Sequence, residues 1–130
     1  MELAQVRLLV TDFSRCYQCY AEVLGLEPQS GAVNGPYEKF SPATGSVGIA
    51  LQDRAMMAGI LGELGEEPVG HRSLVVLRVD GLDAYCEQAT SRGAELVHGP
   101  APMTDRMRVA HLGDPEGNLI ELQEWLLLRP

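Results

Sequence analysis

Few residues in this chain have the types and spacing to do chemistry. His111 and Glu121 flank the turn string Asp114-Pro115-Glu116-Gly117-Asn118, which sets them on the two arms of one hairpin. An imidazole beside a carboxylate in a cleft can act as acid and base. In the plainer reading His111 donates a hydrogen bond to Glu121 and keeps a polar floor satisfied. Cys16 and Cys19 form a C-x-x-C, but a lone pair of thiols inside a helix, with no second ligand pair, is weak evidence for a redox or zinc role. His98, just before Gly99-Pro100, reads as exposed at a strand end, and no role is assigned to it.

Elements that position these residues follow from the hydrophobic period, which switches twice in the same order. Gln5–Val10 alternates as a strand, with Val6, Leu8 and Val10 on one face. Asp12 or Ser14 then caps a helix whose apolar side is Phe13, Cys16, Tyr17, Tyr20 and Leu24, ended by Gly25. Strands follow at Tyr37–Phe40 and Val47–Gln52, with one more expected between Leu26 and Gly35. The pattern recurs about seventy residues later: strand Leu74–Val79, then a helix entered at Asp80 and ended by Gly93. Strands are expected at Ala94–His98, Arg108–Leu112 and Asn118–Trp125. Such a repeat means two copies of one strand-helix-strand-strand-strand unit, neither able to bury its sheet alone. Between them, Asp53–Gly70 reads as a short amphipathic helix or a flap, with Met56 and Met57 either adaptable lid residues or ordinary packing.

The chain's 130 residues suffice for one core, here one domain over 1–130 with modules at about 4–58 and 71–128. A net charge of −8, from 18 acidic against 10 basic residues, argues against nucleic acid and anionic membrane surfaces as partners. No apolar run approaches the ~20 residues of a membrane span. Three cysteines without a secretion signal lead to the expectation of reduced thiols in a cytoplasm.

Three strings in order resemble the glyoxalase/bleomycin resistance/dioxygenase (vicinal oxygen chelate) superfamily. They are Val10-x-Asp12 leading to Leu24-Gly25-Leu26, Val79–Ala84 with Arg92-Gly93-Ala94, and Asp114–Leu122. The resemblance implies an α+β fold of two tandem βαβββ modules, forming a half-open, barrel-like curved sheet with the helices outside. It also implies a cavity for ligand or metal, and commonly a homodimer. Enzymatic members hold a divalent metal on four side chains; the matching positions here are Gln5, Ala50, Leu74 and Glu121. Leu74 and Ala50 cannot ligate, and His71 is three residues from Leu74, on the opposite face unless a bulge intervenes. No metal and no cofactor are therefore expected. A position matching His111 often faces the family's cavity, as does Glu121's. Arg7 and Arg78 take equivalent places in the two units, on the cavity side with Gln5 and Leu74. There they bind a ligand's anionic group or pair with acidic neighbours such as Glu121, Glu38 or Asp80. Tyr37 or Phe40 can stack on a planar ligand, and Trp125 can serve a dimer contact, the cavity mouth or terminal packing. The expected function is metal-free binding of a small organic molecule, such as an antibiotic or natural product. Ligand contacts would come from Gln5, Arg7, Tyr37, Phe40, Leu74, Arg78, His111 and Glu121. The alternatives are a metal-dependent lyase, isomerase or ring-cleaving dioxygenase with an atypical site, or a metal-free acid/base enzyme using His111 and Glu121.

Overall fold

Apolar alternation in Val6–Val10 builds the first strand, β1, whose Leu8 and Val10 are buried while Gln5, Arg7 and Leu9 face the other way. The structure, a computed structural model, describes residues 1, 5–41, 48–65 and 74–126. Its contacts divide the chain into two units, Met1–Gly70 and His71–Pro130.

In the first unit Asp12 accepts a hydrogen bond from the Arg15 N–H (3.3 Å) and starts α1 (Phe13–Gln18), which runs on into a π-helical turn at Cys19–Val23. Gly25, at φ +83°, takes the chain out of the helix. The strand expected before Gly35 is only β2 (Glu27–Pro28); β3 (Tyr37–Ser41) and β4 (Ile49–Asp53) complete an open mixed sheet in the order β1-β4-β3-β2. Tyr17 and Tyr20 of the helical segment pack on Phe40 at 5.6 and 6.2 Å between ring centroids, so the helix covers one sheet face. The stretch after β4 forms α2 (Arg54–Ala58), capped by Asp53 accepting from the Met56 N–H, and a 3-10 turn at Gly62–Leu64. Residues 66–70 of the expected linker lie outside the described residues.

The second unit repeats the plan. β5 (Leu74–Arg78) leads to α3 (Leu82–Ser91), then β6 (Glu95–Thr104), β7 (Met107–Gly113) and β8 (Leu119–Trp125), in the sheet order β5-β8-β7-β6. Gly81 precedes α3 and has no side chain to cap it, so Glu124 of β8 accepts from the Gly81 and Leu82 N–H groups at 3.0 and 3.1 Å. Capping of this kind is worth about 1 kcal/mol. Arg108 of β7 bridges Asp83 (2.9 Å) and Glu124 (3.6 Å) on the same face. Its hydrogen bonds hold the Asp83 carboxyl below its ordinary value. Leu82, Cys86 and Ala89 bury against the sheet, where Ala110, Leu112, Ile120 and Leu122 are almost wholly buried. Burial raises the Cys86 thiol above its ordinary value, with the Asp83 charge adding to it, so this thiol is held neutral.

The fold is thus α+β, two open four-stranded sheets with helices on one face of each. Among the described residues no helix is long and apolar enough to cross a membrane.

Candidate functional site

Strand parity gives each sheet one face left uncovered by α1 or α3 among the described residues, and the polar candidates collect there. In the first sheet Arg7 pairs with Ala50 and Ala50 with Lys39, while Leu9 pairs with Gln52 and Gln52 with Tyr37. Residues directly opposite share a face, so Arg7, Ala50, Lys39, Leu9, Gln52 and Tyr37 lie together, with Gln5 immediately before β1. Tyr37 reaches diagonally across the Ala50 row and donates its hydroxyl proton to Gln5 Oε1 at 2.7 Å. The Arg7 guanidinium carbon lies 5.3 Å from the Tyr37 ring centroid, within cation–π range. Gln52 donates to the Pro36 carbonyl at 3.2 Å and to the Met56 sulfur at 3.6 Å.

Phe40 does not join this face. It is 1% exposed and packs on Tyr17 and Tyr20, so it is a core residue and the expectation that it lines the ligand site is corrected. The physical reason is parity: Phe40 pairs with Ile49, on the helix-covered side.

The uncovered face of the second sheet carries Leu74, Val76 and Arg78 of β5, paired with Leu119, Glu121 and Gln123 of β8. His111 pairs with Glu121 on one side and His98 on the other. A continuous hydrogen-bonded line results. The Trp125 indole N–H donates to Gln123 Oε1 (3.2 Å), and the Gln123 amide donates to Glu121 Oε2 (2.8 Å). His111 Nε2 meets Glu121 Oε1 at 3.0 Å, and His111 Nδ1 lies 3.3 Å from His98 Nδ1. Because the carboxylate only accepts, neutral His111 carries its proton on Nε2, and His98 donates from Nδ1. Replacing Glu121 by Gln places an amide in contact with two donors. One of them must turn acceptor: Gln123 can do so only by an amide flip that gives up the Trp125 indole N–H, whereas the paired imidazoles need only change tautomer. We expect His111 to change tautomer in Glu121→Gln, read as exchanged Nδ1 and Nε2 shifts in nitrogen-15 NMR; an unchanged pattern refutes this proton assignment.

His98 was not expected here. The strand ending anticipated at His98 instead continues to Thr104, through register irregularities on either side of His98. Gln52 and Gln123 were missed too; each lies two residues after Ala50 or Glu121, so alternation alone was a usable signal. Arg7 and Arg78 do share the uncovered face of their own sheets but are not equivalent. Arg7 faces Ala50 and Arg78 faces Gln123, whose counterpart Gln52 faces Leu9, so the arginines stand two residues apart in the repeat. Among the described residues neither forms an ion pair, so the expected pairing with Glu121, Glu38 or Asp80 is not made. His71 lies outside the described residues.

The four positions implied for a metal do not fit one. Ala50 and Leu74 offer no donor atom, Gln5 Oε1 is held by Tyr37, and both Glu121 oxygens are held by His111 and Gln123. A separate concavity of the first unit, lined by Thr11, Asp12, Phe13, Ser14, Asn34, Pro36 and Asp53, lies at the helix starts. Its Asp12 and Asp53 cap α1 and α2.

Comparison with known proteins agrees with the fold and the repeat. The family model of the glyoxalase/bleomycin resistance protein/dioxygenase superfamily matches residues 2–122. YraH of Bacillus subtilis, described as uncharacterized, is 34% identical over 131 residues, covering 97% of this chain and 100% of its own. A solved family enzyme from Burkholderia phytofirmans superposes with a TM-score of 0.82 at 20% identity, over 97% of this chain and 100% of its own. TnmS3 of a Streptomyces species, described as an antibiotic binding protein, gives a TM-score of 0.73 at 24% identity, over 96% of each chain. With this match over nearly its whole length, the chain belongs to the glyoxalase/bleomycin resistance protein/dioxygenase superfamily.

Proposed function

We propose that this protein binds a small organic molecule against its uncovered sheet faces, without a resident metal ion. The observation that carries the reading is the donor set: methyl and isobutyl groups stand at Ala50 and Leu74, where enzymatic relatives need ligands. What remains is a recognition surface. Leu74 and Val76, 46% and 47% exposed, form an apolar wall beside the His111–Glu121–Gln123 line, whose hydrogen bonds fix donor and acceptor directions in advance. TnmS3, of the same fold, is described as an antibiotic binding protein, which makes natural products the first compounds to try.

A thermal-shift panel tests it. A cognate compound at 100 times its Kd adds about 2.7 kcal/mol, an upward shift of several degrees. His111→Ala should weaken that compound about tenfold, or about 1.4 kcal/mol. Metal-dependent turnover with tight uptake of Mn, Fe, Ni or Zn would refute the reading.

The hydrogen-bonded His98–His111–Glu121 line favours a second reading, a metal-free acid/base enzyme with His111 and Glu121 exchanging a proton with substrate. Product formation abolished in His111→Ala but not in Arg78→Gln would favour it. The proposal includes a homodimer, checked by sedimentation, and a cytoplasmic location, for which the three cysteines outside any disulfide are suitable.

A further inference from the structure

We propose that the uncovered face of the first sheet seats a planar organic carboxylate, held between Arg7 and Lys39. The inference rests on the small-molecule reading above and names the ligand's chemistry.

Arg7 and Lys39 sit on opposite sides of Ala50 in one row across three strands. At ~4.8 Å per strand their Cα atoms are about 10 Å apart, and between them the Tyr37 ring crosses the fully buried Ala50 methyl on its way to Gln5, so the ring is the floor of the seat. Two long cationic stems rising from that row can close on one compact anion. Tyr37 sets the geometry. Its hydroxyl is fixed to Gln5, and its ring carries the Arg7 guanidinium, which holds that planar fork against an aromatic face.

Among the described residues no carboxylate pairs with either cation of this row. Arg108 has Asp83 and Glu124 beside it, whereas among the described residues Arg7 and Lys39 form no ion pair. Glu38, next to Lys39 in sequence, points to the other face and is engaged by Ser30 and Ala32. Among the described residues Glu27, which pairs with Ser41 at the sheet edge, is the one carboxylate this parity places on the face, and it forms no ion pair there either. Two cations with no ion pair among the described residues thus share one row of a chain with net charge −8. The surrounding negative charge disfavours dianions such as phosphate esters more than a carboxylate, which a guanidinium fork also fits with two parallel hydrogen bonds. Beside an aromatic ring, a planar carboxylate can stack as well as pair.

The test is NMR titration of the full chain with benzoate, following Arg7 Nε–H, the Tyr37 ring and the Ala50 methyl. Benzamide serves as a neutral probe of the same shape and benzylamine as its cationic counterpart. Benzoate should move these signals saturably in the millimolar range, benzamide should not, and Arg7→Gln with Lys39→Gln should raise the benzoate Kd at least tenfold. Equal effects of benzoate and benzamide, or a benzoate Kd unchanged in the double variant, overturn the inference. If benzylamine alone saturates the face, the carboxylate is wrong while small-molecule binding stands. If no probe moves any signal, the inference falls and the thermal-shift panel decides the function separately.

Discussion

Gly99→Ala should cost about 3–4 kcal/mol and lower the melting temperature by about 10 °C. Gly99 sits inside β6 at φ +80°, a conformation that costs an alanine roughly 1–2 kcal/mol. The larger part is steric. A Cβ there would lie 2.6 Å from the Val109 carbonyl oxygen, 3.0 Å from the Ala110 Cα and 3.2 Å from the Ala101 nitrogen. All three are backbone atoms of paired strands, so no rotamer change relieves them, and overpacking of this kind costs about 1–3 kcal/mol. Gly93→Ala is the control: its φ is +100°, but nothing lies within 4 Å of the added carbon. Urea unfolding of both variants separates strain from clash; equal losses would show that the contact with Val109 does not matter. Gly99 follows His98 directly, so a displaced β6 should also pull His98 from His111 while leaving His111 on Glu121.

That coupling shows how the second sheet's polar line depends on the strand pairing. His98, His111, Glu121 and Gln123 are aligned because β6, β7 and β8 hold them on one face in adjacent rows. The five-residue turn after β7, with Asp114 buried at its start, fixes the register. Asp114 accepts from the Glu116 and Asn118 N–H groups at 2.9 and 2.8 Å, and from the Asn118 side chain at 2.9 Å. A one-residue slip would turn every member of the line toward α3.

Which residues were legible in the sequence follows from the same parity. The alternation of Val6, Leu8 and Val10, and the hairpin string from Asp114 to Asn118, placed both sheets and the His111–Glu121 contact. A shift of two residues preserves the face, which is why Arg7 and Arg78 were put on the right side but in the wrong rows. Tyr37 and Phe40 are three apart and must face opposite ways. Both are aromatic, so only the β3–β4 register decides that Tyr37 is the one on the uncovered face. His98 was hidden because Gly99-Pro100 looks like a strand end, whereas β6 continues past it with its ladder interrupted. Tyr37's reach to Gln5 joins residues 32 apart in the chain and has no local signal at all.

Glu38 is a buried carboxylate on the helix-covered face of the first sheet. Glu38→Ala should lose about 3 kcal/mol and Glu38→Gln about 2, since stranded donors cost about 1–3 kcal/mol. Glu38 is 1% exposed and accepts from the Ser30 N–H (2.9 Å), the Ala32 N–H (2.6 Å) and the Ser30 hydroxyl (3.1 Å). Burial by itself pushes this carboxyl up. The backbone N–H groups of Ser30, Ala32 and Gly31, with the Ser30 hydroxyl, outweigh it and hold the group below the ordinary glutamate value of 4.5. Its contribution is therefore complete above the unfolded value and disappears as pH falls through the lower folded one. The stability gap between wild type and Glu38→Gln should be full at neutral pH and shrink in acid, where protonated Glu38 resembles the amide. A gap that stays constant from about pH 7 to about pH 3 would mean that the carboxylate charge does not organise the 30–36 loop. That loop leads straight into Tyr37, so loosening it should also free the Tyr37 hydroxyl from Gln5 and release Arg7 from the ring beneath it.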